Sequence, residues 1–379
     1  MVIRKLHRFA ISVGVILALT SDNLLTSACS VFVWRRDGQV LFCNNEDFNQ
    51  LGYLWVVPAT DGTLGRVNLG FRGGHAQGSM NTAGLAFDAM SVPAVGWRAD
   101  PELPTPKNLV EEIMDGCETV EQAVERFRGA NCTHLANSQF LFADATGDAA
   151  LIAWQPGQGL SVIRSDGEFL IGTNVRQQGR AYRCARYVRL EQLLGNVARP
   201  ASVDDAAKYL DAVHQQGPGG FTSYSNVFDL KQRTITLYHL TDFTSSCEFR
   251  LEEMLKNSKG ERTAIASFFS EGKTREEVTA GPQRQRFDTE VPLPPEDLQA
   301  LAGFYSPEGH PEIEFEVRDQ GGLQIVGPDG AVTTLFPESR SVFRMEPDRG
   351  QVAFLRDAND KVTGLELRRA TDQRARRVR

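Results

Sequence analysis

Cys29 follows Thr26-Ser27-Ala28 and opens the stretch "CSVFVWRRDGQVLFCNNEDF", whose far end carries the polar run Asn44 to Asp47. A cysteine in this position can be a lipid attachment point, half of a disulfide, an inert thiol, or a nucleophile that becomes the first residue of a processed chain. The residues before it bear on the choice. Arg4, Lys5, His7 and Arg8 make a basic start, and the apolar run "FAISVGVILAL" (Phe9 to Leu19) is too short to span a bilayer. Small residues then offer a cut between Ala28 and Cys29, as in an export signal. Cleavage there would leave one residue with both a thiol and a free α-amine. An α-amine titrates near about 7.7–8.0, so it can take the thiol proton at neutral pH. Nucleophile and base then share a residue, and no histidine is needed. An anionic neighbour such as Asp47 would hold the resulting ammonium.

Lipidation is the competing chemistry, because a thioether at the sulfur and an acylated amine leave neither catalytic group. A lipobox has an apolar residue three before its cysteine, where this chain has Thr26, while Leu25 stands one place too early. The nucleophile is therefore preferred, and an envelope lipoprotein that binds a ligand without turnover is the alternative.

Other chemistries find little support. The six cysteines (29, 43, 117, 132, 184 and 247) include no CxxC, and the six histidines (7, 75, 134, 214, 239 and 310) form no close metal-like pair. The sequence has no GxSxG, HExxH, P-loop or dinucleotide fingerprint, so no metal and no cofactor are expected. Cys117 and Cys132 flank an expected helix and could pair. The net charge is −7, and loss of residues 1–28 would remove Arg4, Lys5, Arg8 and Asp22 to leave −9, which argues against nucleic acid as a partner. No later apolar run is long enough to cross a membrane, so a periplasmic or secreted protein is expected. The basic end "RRATDQRARRVR" reads as a frayed, solvated tail.

The elements that must position these residues follow from pattern. Ser30 to Trp34 and Val40 to Cys43 read as a hairpin turning at Asp37-Gly38, which brings the Asn44 to Asp47 end back toward Cys29. Lys107 to Arg128 reads as two helices broken at Asp115-Gly116, the second capped by Thr119 with Gln122 three residues on. "QFLFADATGDAALIAW" and "GLSVIRSDGEFLIGTN" read as hairpins, "RAYRCARYVRLEQLL" and "VDDAAKYLDAVHQ" as helices, and "YSNVFD" and "RTITLYHL" as strands. Helices grouped between antiparallel strands imply a layered α+β unit over residues 29–256. The charged stretch 257–292 reads as an excursion and linker. Residues 293–379 read as a short helix followed by a small antiparallel β unit.

Four segments in order resemble the N-terminal-nucleophile (Ntn) cysteine hydrolases of the choloylglycine hydrolase and penicillin V acylase type, a linear amide C–N hydrolase group with related acyltransferases. They are Cys-Ser-x-Phe with Asn-x-Asp-Phe, "SMNTAGLAFDAMSVP" (Ser79 to Pro93), "GTNVR" (Gly172 to Arg176) and "TSYSNVFDLKQRTITLYH" (Thr222 to His239). The likeness covers roughly residues 29 to 250 and implies a four-layer αββα sandwich with a small-molecule amide as substrate. It implies Cys29 as nucleophile, Asp47 as the carboxylate beside its sulfur and amine, Asn174 as a side-chain oxyanion donor and the Ser91 N–H as the second donor. A family arginine on a later helix maps to Arg186 or Arg183. Bile-salt hydrolases carry an arginine where this chain has Asn44, which sets bile salts and penicillin V apart as substrates. The terminal β unit resembles lipocalin-like appendages. Hydrolysis or acyl transfer, and a monomer or homo-oligomer, stay open.

Overall fold

The computed structural model describes residues 29–165, 167–176, 184–195, 200–217, 220–257, 260–269, 274–280, 284–285, 294–307, 312–317, 323–326, 332–337, 340–345, 351–357, 359–368 and 373–378. The expectations for residues 1–28 and for Arg183 lie outside them.

The strands of the first part, in chain order, are β1 (Ser30–Arg36), β2 (Gln39–Phe48), β3 (Tyr53–Val57), β4 (Arg66–Gly70), β5 (Ala76–Asn81), β6 (Ala86–Ser91), β7 (Ser138–Ala143) and β8 (Ala149–Gln155). They continue with β9 (Gly159–Arg164), β10 (Phe169–Thr173), β11 (Gln215–Gln216), β12 (Phe221–Asp229), β13 (Thr234–His239), β14 (Asp242–Arg250), β15 (Thr263–Ala264) and β16 (Arg284–Gln285). The helices are α1 (Leu109–Gly116), α2 (Val120–Arg128), α3 (Ala185–Gly195), α4 (Val203–Asp211), α5 (Leu251–Asn257) and α6 (Arg275–Thr279).

Two large antiparallel sheets form the middle of the structure. One runs β10-β1-β2-β12-β13-β14 and the other β15-β3-β4-β5-β6-β7-β8-β9. Alternation along each strand gives each sheet two apolar faces. Val31, Val33 and Phe42 of the first sheet meet Val67, Leu69, Met80 and Leu141 of the second in the layer between them. Phe32, Trp34, Leu41 and Cys43 turn the other way, onto Leu190 and Leu194 of α3 and Ala206 and Leu210 of α4. On the far side Phe87, Phe140 and Phe142 pack against Ile113 of α1 and Val124 and Phe127 of α2. The order is helix, sheet, sheet, helix, the expected αββα sandwich.

Local chemistry explains the boundaries. Asp37 (φ 49°) and Gly38 (φ 86°) are both left-handed, as the two-residue turn between β1 and β2 requires. Thr119 and Gln122 form a reciprocal capping box at the start of α2. Cys117 and Cys132 both enter the helix-side core and remain separate thiols.

Two expectations change. Gly159 to Asn174 is not a hairpin: β9 pairs with β8 at the rim of one sheet, whereas β10 pairs with β1 in the other. The residues of β9 are at least partly exposed, whereas β10 buries Leu170 between the sheets and Ile171 under the helices. Burying both faces of β10 requires it to leave the rim for the other sheet. Arg35 fastens the crossing by donating to the carbonyls of Gly147 (2.6 Å), Ser165 (2.7 Å) and Gly167 (2.8 Å).

The C-terminal tail also differs. After α7 (Pro295–Leu301), β17 (Gly303–Pro307), β18 (Ile313–Val317), β19 (Leu323–Val326), β20 (Val332–Pro337), β21 (Val342–Met345), β22 (Gln351–Arg356), β23 (Val362–Arg368) and β24 (Gln373–Arg377) form a closed barrel. The basic tail is β24, which pairs with both β23 and β17 to close it. Ala375 turns into the barrel core, and Arg377 bonds the carbonyls of Ala300 and Ala302 at the end of α7. Part of the charged excursion is also structured: Thr263 and Ala264 pair with β3, and Val278 packs on Phe221 and Leu240. Among the described residues no helix is long and apolar enough to cross a membrane.

Thr119→Ala removes the N-cap of α2, and the expected loss is about 1 kcal/mol. It reads as a lower urea midpoint with an unchanged slope.

Candidate active site

Cys29 is the residue immediately before β1 and is fully buried. Ser30 lies between Asn45 of β2 and Thr173 of β10. Strand alternation sends Cys29, with Val31 and Val33, into the layer between the sheets, and sends Ser30 toward the helices. The same rule divides the polar run on β2. Asn44 and Glu46 share the face of Phe42, between the sheets, whereas Asn45 and Asp47 share the face of Cys43, under α4.

The carboxylate that meets the sulfur is therefore Glu46. The Cys29 Sγ lies 3.5 Å from Glu46 Oε1, and Asn44 Nδ2 donates to Glu46 Oε2 at 3.4 Å. Burial raises the Glu46 carboxyl to about 8, and the charge of Asp47 adds to the rise. Its hydrogen bonds to Cys29 and Asn44 act the other way without cancelling burial. Across the layer, Asp88 of β6 stands opposite Gly78 of β5. A Cβ at Gly78 would fall 2.5 Å from Asp88 Oδ2, so the glycine makes room for the acid. Burial, then the charge of Glu46, raises the Asp88 carboxyl well above the usual range. Tyr224, on β12 beside Glu46, is raised by burial and then by Glu46 and Asp88.

These residues make a polar layer at the Cys29 end of an otherwise apolar sheet interface. Among the described residues, Asn44 Oδ1, Asp88 Oδ1, the Tyr224 hydroxyl and both amide atoms of Asn226 are buried without a hydrogen bond of good geometry. Tyr224 nonetheless sits close enough to Glu46 for the two to interact electrostatically.

On the opposite face, Asp47 is held by Thr222 Oγ1 (2.5 Å) and Gln215 Nε2 (2.9 Å). Arg186 enters from α3 with its side chain fully buried. Its Nη1 donates to the Cys29 carbonyl (2.6 Å) and Ser30 Oγ (2.7 Å), its Nη2 donates to Asn174 Oδ1 (3.2 Å), and Nη1 is 3.7 Å from Asp47 Oδ2. Asn174, just past β10, donates its Nδ2 to the Ser91 carbonyl at the end of β6 (2.7 Å). The structure thus gathers Cys29, Asp47, Asn174, Ser91 and Arg186 at one end of the two sheets. Asp47 reaches the Cys29 end through Arg186, on the strand face opposite Glu46. The contact between Asn174 and Ser91 uses the Ser91 carbonyl, not its N–H. Among the described residues no group of three or more His, Cys, Asp or Glu is arranged to hold a metal ion.

Sequence reasoning passed over Glu46, although the turn contained the signal. A two-residue turn at Asp37-Gly38 fixes the register as Arg36 opposite Gln39 and Ser30 opposite Asn45, and one more step sets Cys29 opposite Glu46.

No protein-family model and no curated protein sequence matches the chain. Solved structures do. An arginine-to-leucine variant of conjugated bile acid hydrolase from Clostridium perfringens aligns with a TM-score of 0.51 at 12% identity, over 62% of this chain and 97% of that one. A cysteine-to-alanine mutant of the same hydrolase gives 0.50 at 12% identity, over 65% and 97%. Penicillin V acylase from Agrobacterium tumefaciens gives 0.46 at 18% identity, over 61% and 88%. The αββα part of this chain has the fold of the choloylglycine-type Ntn hydrolases.

Two outcomes test this geometry. Arg186→Met strips a buried cation from Asp47 and the Cys29 carbonyl, at an expected cost of about 3–5 kcal/mol in urea unfolding. Glu46 is protonated more readily in the folded chain than in the unfolded one. Its contribution to stability is therefore full below the ordinary carboxyl value of 4.5 and is lost as pH rises through about 8. Glu46→Gln removes that loss, so the melting temperature of the variant relative to wild type should rise with pH across this window.

Proposed function

We propose that the chain is an exported amidase that cleaves a linear, non-peptide amide C–N bond through a cysteinyl acyl-enzyme. The observation that carries the reading is the position of Cys29. It is the residue before β1, with Asn174, Ser91, Asp47 and Arg186 gathered around its end of the strand, in a fold shared with a conjugated bile acid hydrolase.

In this reading, removal of residues 1–28 frees the α-amine of Cys29, so export to the periplasm or medium doubles as activation. The amine takes the thiol proton, and the thiolate adds to the amide carbonyl. Asn174 Nδ2 turns from the Ser91 carbonyl to the oxyanion, with the Ser91 backbone N–H as second donor. Arg186 holds the Asn174 oxygen, which leaves the amide nitrogen facing the reacting centre, and Asp47 balances the ammonium–guanidinium charge. Collapse of the tetrahedral species breaks the C–N bond, and the amine leaves with the proton from the Cys29 ammonium. Water then hydrolyses the thioester. An added amine that captures the acyl group would instead mark the enzyme as an acyltransferase.

Intact mass and N-terminal sequencing of the protein exported by its native route should give a chain starting at Cys29 with a free amine. Lipid mass on a blocked terminus would remove this mechanism. On the first amide turned over in a substrate screen, Cys29→Ala should abolish cleavage. Asn174→Ala should lower kcat by ~10²–10³ with the thioester still formed. Full activity in Cys29→Ala would sink the assignment.

A further inference from the structure

The buried acid at the sulfur has no place in the chemistry above, in which the α-amine alone handles the thiol proton. Yet Glu46 Oε1 is 3.5 Å from Sγ, on the same inter-sheet face, with Asn44 fixing its other oxygen. The titratable groups around it are Cys29 on β1, Asp47 on its own strand, Tyr224 on β12 and Asp88 on β6. His239, on β13, is the cross-strand neighbour of Tyr224. Arg186, the cation nearest the Cys29 backbone, approaches from the other face and is spent on Asp47, Asn174, Ser30 and the Cys29 carbonyl. Glu46 therefore has acids and a phenol around it and no paired side-chain cation on its own face among the described residues, so until processing adds the Cys29 ammonium a carboxyl in that company keeps its proton.

We propose that Glu46 is a further catalytic residue: its carboxylic acid O–H donates to the Cys29 thiolate, and loss of that proton turns the nucleophile off. The proposal rests on Cys29 being the nucleophile. In the processed chain the thiol proton goes to the α-amine, leaving S⁻, an ammonium and a still-protonated Glu46. The acid O–H then bonds the sulfur across the 3.5 Å gap. When the S–C bond forms, the negative charge passes from sulfur to the carbonyl oxygen and the O–H bond to sulfur weakens. Glu46 neither gains nor loses a proton in the step. When the Glu46 proton is lost to solvent, the α-ammonium returns its proton to the sulfur, and the carboxylate accepts that S–H across the same gap, holds the sulfur protonated and opposes any charge on it.

The test needs no substrate. The mature chain, confirmed by mass to start at Cys29, is alkylated with iodoacetamide from about pH 6 to about pH 10, and modification at Cys29 is read by peptide mass. The wild-type rate constant should climb, pass a maximum inside this range and fall by about tenfold per pH unit beyond it. In Glu46→Gln, a neutral isostere of the protonated acid, the rate should rise to a plateau without falling. At about pH 9.5 the variant should then exceed wild type by more than tenfold. Identical profiles in the two proteins would overturn the proposal. If the variant does not fold, the wild-type curve decides alone, since a rate that only rises through pH 10 contradicts an acid that switches off. Failure here leaves the amidase reading standing, which is judged separately by Cys29→Ala.

Discussion

The Arg186 guanidinium is the contact on which this end of the molecule depends. It is fully buried, and a buried cation is tolerable only where its donors are met. They are met by groups from separate elements: the Cys29 carbonyl and Ser30 Oγ at the start of β1, Asn174 Oδ1 after β10, and the Asp47 carboxylate on β2. The planar fork converts these into one rigid assembly, because its N–H directions are fixed relative to one another. It thereby sets the height of the Cys29 backbone and the orientation of the Asn174 amide together.

The sheet then separates two kinds of carboxylate that are adjacent in sequence. Asp47 points under the helices, where a cation, a hydroxyl and an amide await it. Glu46 points between the sheets, where the company is a thiol, an asparagine, a phenol and a second acid. Nothing in residue type distinguishes the two, and the difference is one step of strand alternation. A register slip of a single residue would exchange them, placing an acid next to Arg186 with a longer side chain and leaving the shorter one to reach for the sulfur. The Asp37-Gly38 turn, whose two left-handed residues fix the hairpin register, thus bears directly on the chemistry at its far end.

Much of the layer architecture was legible because periodicity, caps and turn dipeptides are local. The β1–β2 hairpin, the break between α1 and α2 and the Thr119–Gln122 box were all readable from a few neighbouring residues. What local pattern could not carry was strand partnership. β9 and β10 carry strand patterns either side of a turn-like Asp-Gly, yet they join different sheets because β10 has two faces to bury and β9 does not. The basic tail was misread for a related reason. A small Ala375 among arginines looks like no strand at all until the barrel gap that the segment closes is known. At the site, Cys29, Asp47, Asn174, Ser91 and Arg186 came from resemblance and order along the chain. Glu46 needed the register to be counted one residue further.

The departure at Asn44 and the presence of Glu46 belong together. Bile-salt hydrolases, which this segment resembles, carry an arginine at that place. A guanidinium two residues from Glu46 on the same strand face would pair with the acid and favour its ionised form. Asn44 instead offers an uncharged amide at 3.4 Å, enough to orient the carboxyl but too weak to offset its burial, and the carboxyl is pushed up to about 8. The group beside the Cys29 sulfur is therefore a carboxyl that burial holds neutral, with an uncharged amide next to it. Tyr224, which stands opposite Glu46, and Asn226, opposite Asn44, complete that face with uncharged polar groups.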